Sequence, residues 1–168
     1  MSGFSHFDER GAARMVDVGE KPVTCRVARA SGRVTMRAET LQRIRSQEVA
    51  KGNVIEVARL AGIMAAKRTG EWIPLCHPLP IDGVVVDFTF PDAETVAISA
   101  EVRVTARTGV EMEALVAVSA AALTIYDMCK SADRGMEIGS VRLDEKSGGR
   151  SGHFLRDPQS PPAIAPTE

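Results

Sequence analysis

The sequence predicts an α+β fold in which an antiparallel sheet is covered on one face by helices. Three observations predict it. Alternating apolar and polar residues mark strands at Val23–Arg29, Val84–Phe90 and Val96–Val104. Two segments with helical spacing follow, at about 53–67 and 110–130. Pro74–Pro80, with three prolines in seven residues, separates the first helical segment from the paired strands and excludes helix there.

In chain order, residues 1–21 are polar with sparse apolar side chains and read as an extended N-terminal arm. Val23–Arg29 forms a strand, Ser31-Gly32 supplies a turn, and Arg33–Arg37 returns, so a hairpin is expected. Glu39–Val49 suits a short helix closed before Lys51-Gly52. Asn53 caps the next helix, whose apolar positions 54, 57, 58, 61, 64 and 65 follow the i, i+3, i+4, i+7 rule to about Lys67. The strands at 84–90 and 96–104 are joined through Pro91-Asp-Ala-Glu as a hairpin. A long helix spans 110–130, a last strand lies near Glu137–Leu143, and Lys146–Gly152 reads as a flexible basic loop. The arrangement is expected to be a ferredoxin-like two-layer sandwich with an N-terminal elaboration. One domain should cover 1–156. The tail 157–168, which holds four of the nine prolines, is expected to be disordered.

Composition narrows the function classes. With 21 basic and 22 acidic residues and no long single-sign block, broad nucleic-acid or anionic-membrane binding is disfavoured. Cys25, Cys76 and Cys129 form no CxxC pair, which fits a reducing cytoplasm and no disulfide framework. No export signal is read at the N-terminus, and no apolar run reaches the roughly 20 residues of a membrane helix. Lysine occurs only at 21, 51, 67, 130 and 146, so each one is considered individually.

Several residues could carry chemistry. Glu111 and Glu113 open an otherwise apolar helix, where the helix dipole alone would favour them. Asp127 and Lys130 close it, spaced as an i, i+3 pair. Glu113 and Asp127 share a helix face but lie about 21 Å apart along the axis, so one subunit cannot bring both to one small centre. Lys51 precedes a helix N-terminus, a setting that favours anions. Lys67-Arg68 at the far end of that helix either compensates its dipole or binds charge. His77 is held on the stiff proline loop, as a general acid or base requires, with a structural histidine as the plainer alternative. Zinc on Cys76, His77 and Cys129 lacks a fourth ligand, and adjacent Cys-His side chains rarely converge on one ion. No GxGxxG, GxxxxGK[ST] or nucleophile elbow occurs. These residues point to a small-molecule site with an anionic ligand.

The segments Lys51-Gly-Asn, Ala58-Arg-Leu-Ala-Gly-Ile-Met-Ala-Ala-Lys-Arg-Thr69, Ile73-Pro-Leu-Cys-His-Pro-Leu-Pro80, Gly109-Val-Glu-Met-Glu-Ala-Leu115, Leu123-Thr-Ile-Tyr-Asp-Met-Cys-Lys130 and Lys146-Ser-Gly-Gly-Arg-Ser-Gly152, with Met15-Val-Asp-Val, resemble the cyclic pyranopterin monophosphate synthase family of molybdenum cofactor biosynthesis. The resemblance spans roughly residues 5–154. It implies conversion of 3',8-cyclo-7,8-dihydro-GTP to cyclic pyranopterin monophosphate with release of pyrophosphate, by a phosphorus-oxygen lyase. It further implies a ferredoxin-like subunit in a homohexamer, a trimer of dimers with active sites at the dimer interface. The family's site residues map onto Asp17, Lys51, His77, Glu111, Glu113, Asp127 and Lys130. Lys51, Lys130, Asp127 and His77 are then the expected catalytic groups. Asp17, Lys67, Arg68, Cys76, His77, Glu111, Met112, Glu113 and Arg150 are the expected substrate contacts. No protein-bound metal or cofactor is called for, though Mg²⁺ is a natural companion of a triphosphate. The rival reading is a non-catalytic nucleotide- or pterin-binding sensor.

Overall fold

The computed structural model describes residues 6, 10–47, 49, 52–150 and 152–157. Strand β1 (Thr24–Thr35) leads into helices α1 (Ala38–Arg45) and α2 (Val54–Ala66) and the single turn α3 (Thr69–Trp72). The hairpin β2 (Gly83–Thr89) and β3 (Thr95–Ala106) follows, then the long α4 (Glu111–Cys129), β4 (Glu137–Ser147) and the short β5 (Phe154–Leu155). The strands pair antiparallel in the order β2-β3-β1-β4-β5. Two β-α-β units whose strands interleave in this order, with the helices on one face, make a ferredoxin-like sandwich extended by β5.

Strand parity places the core. Ala28, Ala30 and Val34 of β1 and Val96, Ile98, Ala100, Val102 and Val104 of β3 all face the helices and are buried. Against them lie Ala114, Ala117, Val118, Ala121, Ala122 and Ile125 of α4. Each fully buried Val or Ile contributes roughly 1.5–3 kcal/mol relative to exposure. By length and hydropathy α4 could cross a bilayer, but 61% of it is buried within this domain, where it serves as the central core helix.

Three local expectations are corrected. The expected hairpin at Ser31-Gly32 is one continuous strand, because the inward parity of Ala28, Ala30 and Val34 runs straight through Gly32. Glycine serves close approach at this position, since a Cβ at 32 would stand 2.6 Å from Val118 Cγ1 of α4. The irregularity appears instead as register shifts against β4 at Arg29/Ala30 and Ser31/Arg33. Secondly, the basic loop begins later than expected. Lys146 and Ser147 belong to β4, and Gly148 and Gly149, at φ +93 and +76, turn the chain back into β5. Thirdly, α2 buries Val54, Ala58, Gly62, Ala65 and Ala66, while Val57 and Met64 of the predicted stripe are exposed. The buried face is rotated because only glycine at 62 lets α2 meet α4 so closely.

Asn53 caps α2 by accepting from the Glu56 N–H, and α1 is shorter than expected, ending at Arg45 with Gln47 at φ 58. Lys51 and the tail from 158 onward lie outside the described residues.

Gly62 supplies a stability prediction. A Cβ there would be 2.9 Å from the Ala117 carbonyl oxygen and 3.2 Å from Val86 Cγ2. Gly62→Ala should therefore cost about 1–3 kcal/mol by overpacking. Gly70→Ala, whose nearest neighbour would be at 3.5 Å, should be close to neutral. Denaturant midpoints of the two variants check this.

Candidate functional site

At one end of the sheet the start of β1, the end of β3, the first turn of α4 and the end of β4 come together. The Pro74–Pro80 loop and the N-terminal arm close around them. Between these elements lies an open cleft of about 770 Å³.

Its acidic wall is the α4 N-terminus. Glu111 and Glu113 stand in the first turn, as the helix dipole favours. Glu111 folds back over Gly109, where any side chain would collide with its carboxylate. Its Oε1 accepts from Lys146 Nζ at 2.9 Å. Glu113 is 3% exposed, and burial, followed by the charge of Glu111, pushes its carboxyl up to about 7. At neutral pH this group is poised to exchange a proton. Cys76 and His77 of the proline loop line the same cleft as the glutamates, and Met112 lines it as well. Burial and then the two glutamates raise the Cys76 thiol, so it is kept neutral and is no ready thiolate nucleophile.

The same cleft is also lined by the cations Lys21, Arg26, Arg107, Lys146 and Arg150, here called its cationic wall. Arg26 occupies an inward strand position at the mouth of the sheet, where its Nε and Nη2 donate to the carbonyls of Ala106 and Arg107, each at 3.1 Å. Glycine at 149 is what lets the turn after β4 lie against this guanidinium. Arg107 Nη1 donates to the Gly19 carbonyl at 2.7 Å, which ties the arm to the cleft. Fixed guanidinium groups and a lysine around an open space suit a polyanion.

The remaining expected residues fall into three places. Asp17 bends the arm beside the cleft, its Oδ1 accepting from the Gly19 N–H at 2.8 Å, while the neighbouring Val16 and Val18 line the wall. Lys67 and Arg68 line a separate depression of about 210 Å³ that reaches Glu113 from the α2–α3 side. Asp127 and Lys130 stand at the far end of α4, an exposed pair with Nζ–Oδ1 of 2.6 Å. The hydrogen bond and charge of Asp127 raise the Lys130 ammonium, so it is held protonated. One chain thus gathers Cys76, His77, Glu111, Met112, Glu113 and Arg150, and does not bring Asp127 and Lys130 to them.

The turn after Lys130 is braced. Asp133 is 4% exposed and accepts from the N–H groups of Arg37 and Gly135 and from the Thr40 hydroxyl. These hydrogen bonds hold its carboxyl below the usual range, the Arg37 N–H contributing most.

Sequence reasoning passed over Arg26, Arg107, Lys21 and Lys146 as site residues, because they come from separate elements and Lys146, though it opens the Lys146–Gly152 motif, reads there as part of a flexible basic loop. One signal was present: Arg26 continues the inward parity of Ala28 and Ala30, where a charged residue needs a reason. Among the described residues no three His, Cys, Asp or Glu side chains are grouped so as to hold a metal ion.

Fold and cleft together define a ferredoxin-like protein with a small-molecule site lined by both acidic and cationic side chains. The chain belongs to the MoaC family, whose model matches residues 15–149. It is 62% identical to a cyclic pyranopterin monophosphate synthase of Magnetococcus marinus over 95% of this chain and 98% of that one. A protein of the same name from Desulfitobacterium hafniense is 60% identical over 91% and 94% of the two chains. Cyclic pyranopterin monophosphate synthase 3 of Mycobacterium bovis is 62% identical over 90% and 86%.

Proposed function

We propose that this chain is a cyclic pyranopterin monophosphate synthase of molybdenum cofactor biosynthesis, converting 3',8-cyclo-7,8-dihydro-GTP to cyclic pyranopterin monophosphate and pyrophosphate. The supporting observation is the near-full-length identity to proteins of that name, together with a cleft whose two walls suit a purine-derived ring and a triphosphate.

The triphosphate lies along Arg26, Arg107, Lys146 and Arg150, where positioning and charge neutralisation supply most of the catalysis of phosphoryl transfer. Lys67 and Arg68 add positive charge behind Glu113. Ring opening and rebuilding need separate proton transfers, which fall to Lys51, Lys130, His77 and the glutamates. A substrate hydroxyl attacks the α-phosphorus. The new P–O bond closes the cyclic phosphate as the bond to the β-phosphate oxygen breaks, and pyrophosphate leaves. No covalent enzyme intermediate is needed, and the reaction class is that of a phosphorus-oxygen lyase. Mg²⁺ would act here as a companion of the phosphates rather than as a protein-bound centre.

The site is completed by a second copy of the chain. An ion pair about 24 Å along the helix axis from Glu111 cannot reach the same small molecule within one subunit. A two-fold axis that sets two α4 helices side by side places Asp127 and Lys130 of one chain at the cleft of the other. In support, Met64, Trp72 and Leu123 expose an apolar surface beside Asp127, with relative exposures of 44–54%. Three such dimers make the hexamer, working in the cytoplasm.

Incubating the purified protein with the cyclised GTP derivative tests the activity. Cyclic pyranopterin monophosphate and one equivalent of pyrophosphate are expected. Return of unchanged ligand would favour a sensor instead.

A further inference from the structure

We propose that Lys146 is a phosphate ligand masked by Glu111, and that arrival of a polyphosphate exchanges its partner and frees the carboxylate. The inference rests on the reading that this cleft takes a polyphosphate. Arg26 and Arg107 are anchored on carbonyl oxygens, which are neutral and leave their charge facing the cleft. Lys146 is instead anchored on a carboxylate of the cleft's own acidic wall, at 2.9 Å. Both side chains are between a quarter and a third exposed, at 28% and 29%, so the pair is neither locked by burial nor shielded from an incoming ligand.

A partly exposed ion pair of this kind contributes little to stability. A phosphate group offers more charge and more acceptor oxygens than one carboxylate, and a lysine ammonium on a four-carbon stem can follow it. The strand position supports the exchange. Lys146 is held by the ladder between Ala28 of β1 and Phe154 of β5, two residues before the turn at Gly148-Gly149 that packs on Arg26. Its backbone is therefore fixed, and movement of Nζ alone exchanges Glu111 for a phosphate oxygen in the cleft. Glu111 is then left beside Glu113 without its cation, and its oxygens become available as hydrogen-bond acceptors for the ring portion of the ligand. Lys146 thus couples occupancy of the phosphate wall to exposure of the acidic wall.

A double-mutant cycle with inorganic triphosphate, read by calorimetry on the full chain, tests this. Glu111→Gln should tighten triphosphate binding about three- to tenfold by releasing Lys146, and Lys146→Gln should weaken it about tenfold. With glutamine already at 146, Glu111→Gln should change affinity less than about twofold, because the mediator is gone. Equal tightening in both backgrounds would overturn the exchange and leave the polyphosphate reading standing, since the carboxylate would then act through its field alone. Absence of triphosphate binding by the unaltered protein would instead sink the polyphosphate reading itself. Should Lys146→Gln not fold, Lys146→Met closes the same cycle with an apolar stem of similar length.

Discussion

Lys130→Ala is expected to lower turnover by about 10³-fold or more while leaving the fold unchanged. The side chain is half exposed, and the hydrogen bond recorded for its Nζ goes to Asp127, so its removal opens no cavity. Its chemistry is specific, however. Asp127 holds the ammonium protonated, first by their hydrogen bond and then by charge, which suits the proton-donor role proposed for Lys130. Lys130→Arg keeps the charge and gives up the transferable proton. The arginine variant should bind substrate with a KM near that of the unaltered protein and fail in kcat. Full activity of Lys130→Arg would reduce the residue to a fixed charge. Lys51→Ala is expected to fall as far, on the strength of its place in the family's site.

Glu113→Gln carries the second large effect, on both activity and pH dependence. Burial raises the folded-state carboxyl to about 7 from its ordinary 4.5. Between those values the folded chain binds more protons than the unfolded one, so stability falls as pH rises through that window and levels off above it. The full span corresponds to about 3 kcal/mol as an order of magnitude. Glutamine is neutral at every pH and should abolish that slope. Thermal midpoints from pH 4.5 to 8 should therefore decline more in the unaltered protein, with Glu113→Gln the more stable above pH 7. Turnover should move the opposite way, losing about 10²-fold or more along with the kinetic limb near pH 7. A variant that kept that limb would assign it to another group.

Most of the fold was legible in the sequence because local and global preferences agree. The parity of Val96–Val104, the Asn53 cap and the prolines of 74–80 each act within a few residues. Ser31-Gly32 misled because a turn signal and a packing requirement call for the same residue. Only Val118, distant in sequence, distinguishes them. The apolar surface of α2 misled for a related reason: Val57 and Met64 look like core to a periodicity argument, yet they face outward. Of the site, the acidic first turn of α4 and the rigid His77 loop could be read because each is contiguous. The cationic wall could not, since Lys21, Arg26, Arg107 and Lys146 meet only after β1, β3 and β4 pair. What no reading of one chain can supply is the neighbour of Asp127 and Lys130. Helix rise gives the distance between the two ends of α4, and the proposed two-fold symmetry offers a way to span it.

The most direct test of a site shared between two copies is mixed assembly. Glu113→Gln and Lys130→Ala chains, each inactive alone, are dissociated together, reassembled in equal amounts and assayed for cyclic pyranopterin monophosphate. Half of randomly formed dimers would be mixed, and each mixed dimer would hold one site with both native residues, so about a quarter of the unaltered activity should return. No recovery in verified mixed assemblies would contradict the shared site and place the whole reaction within a single chain.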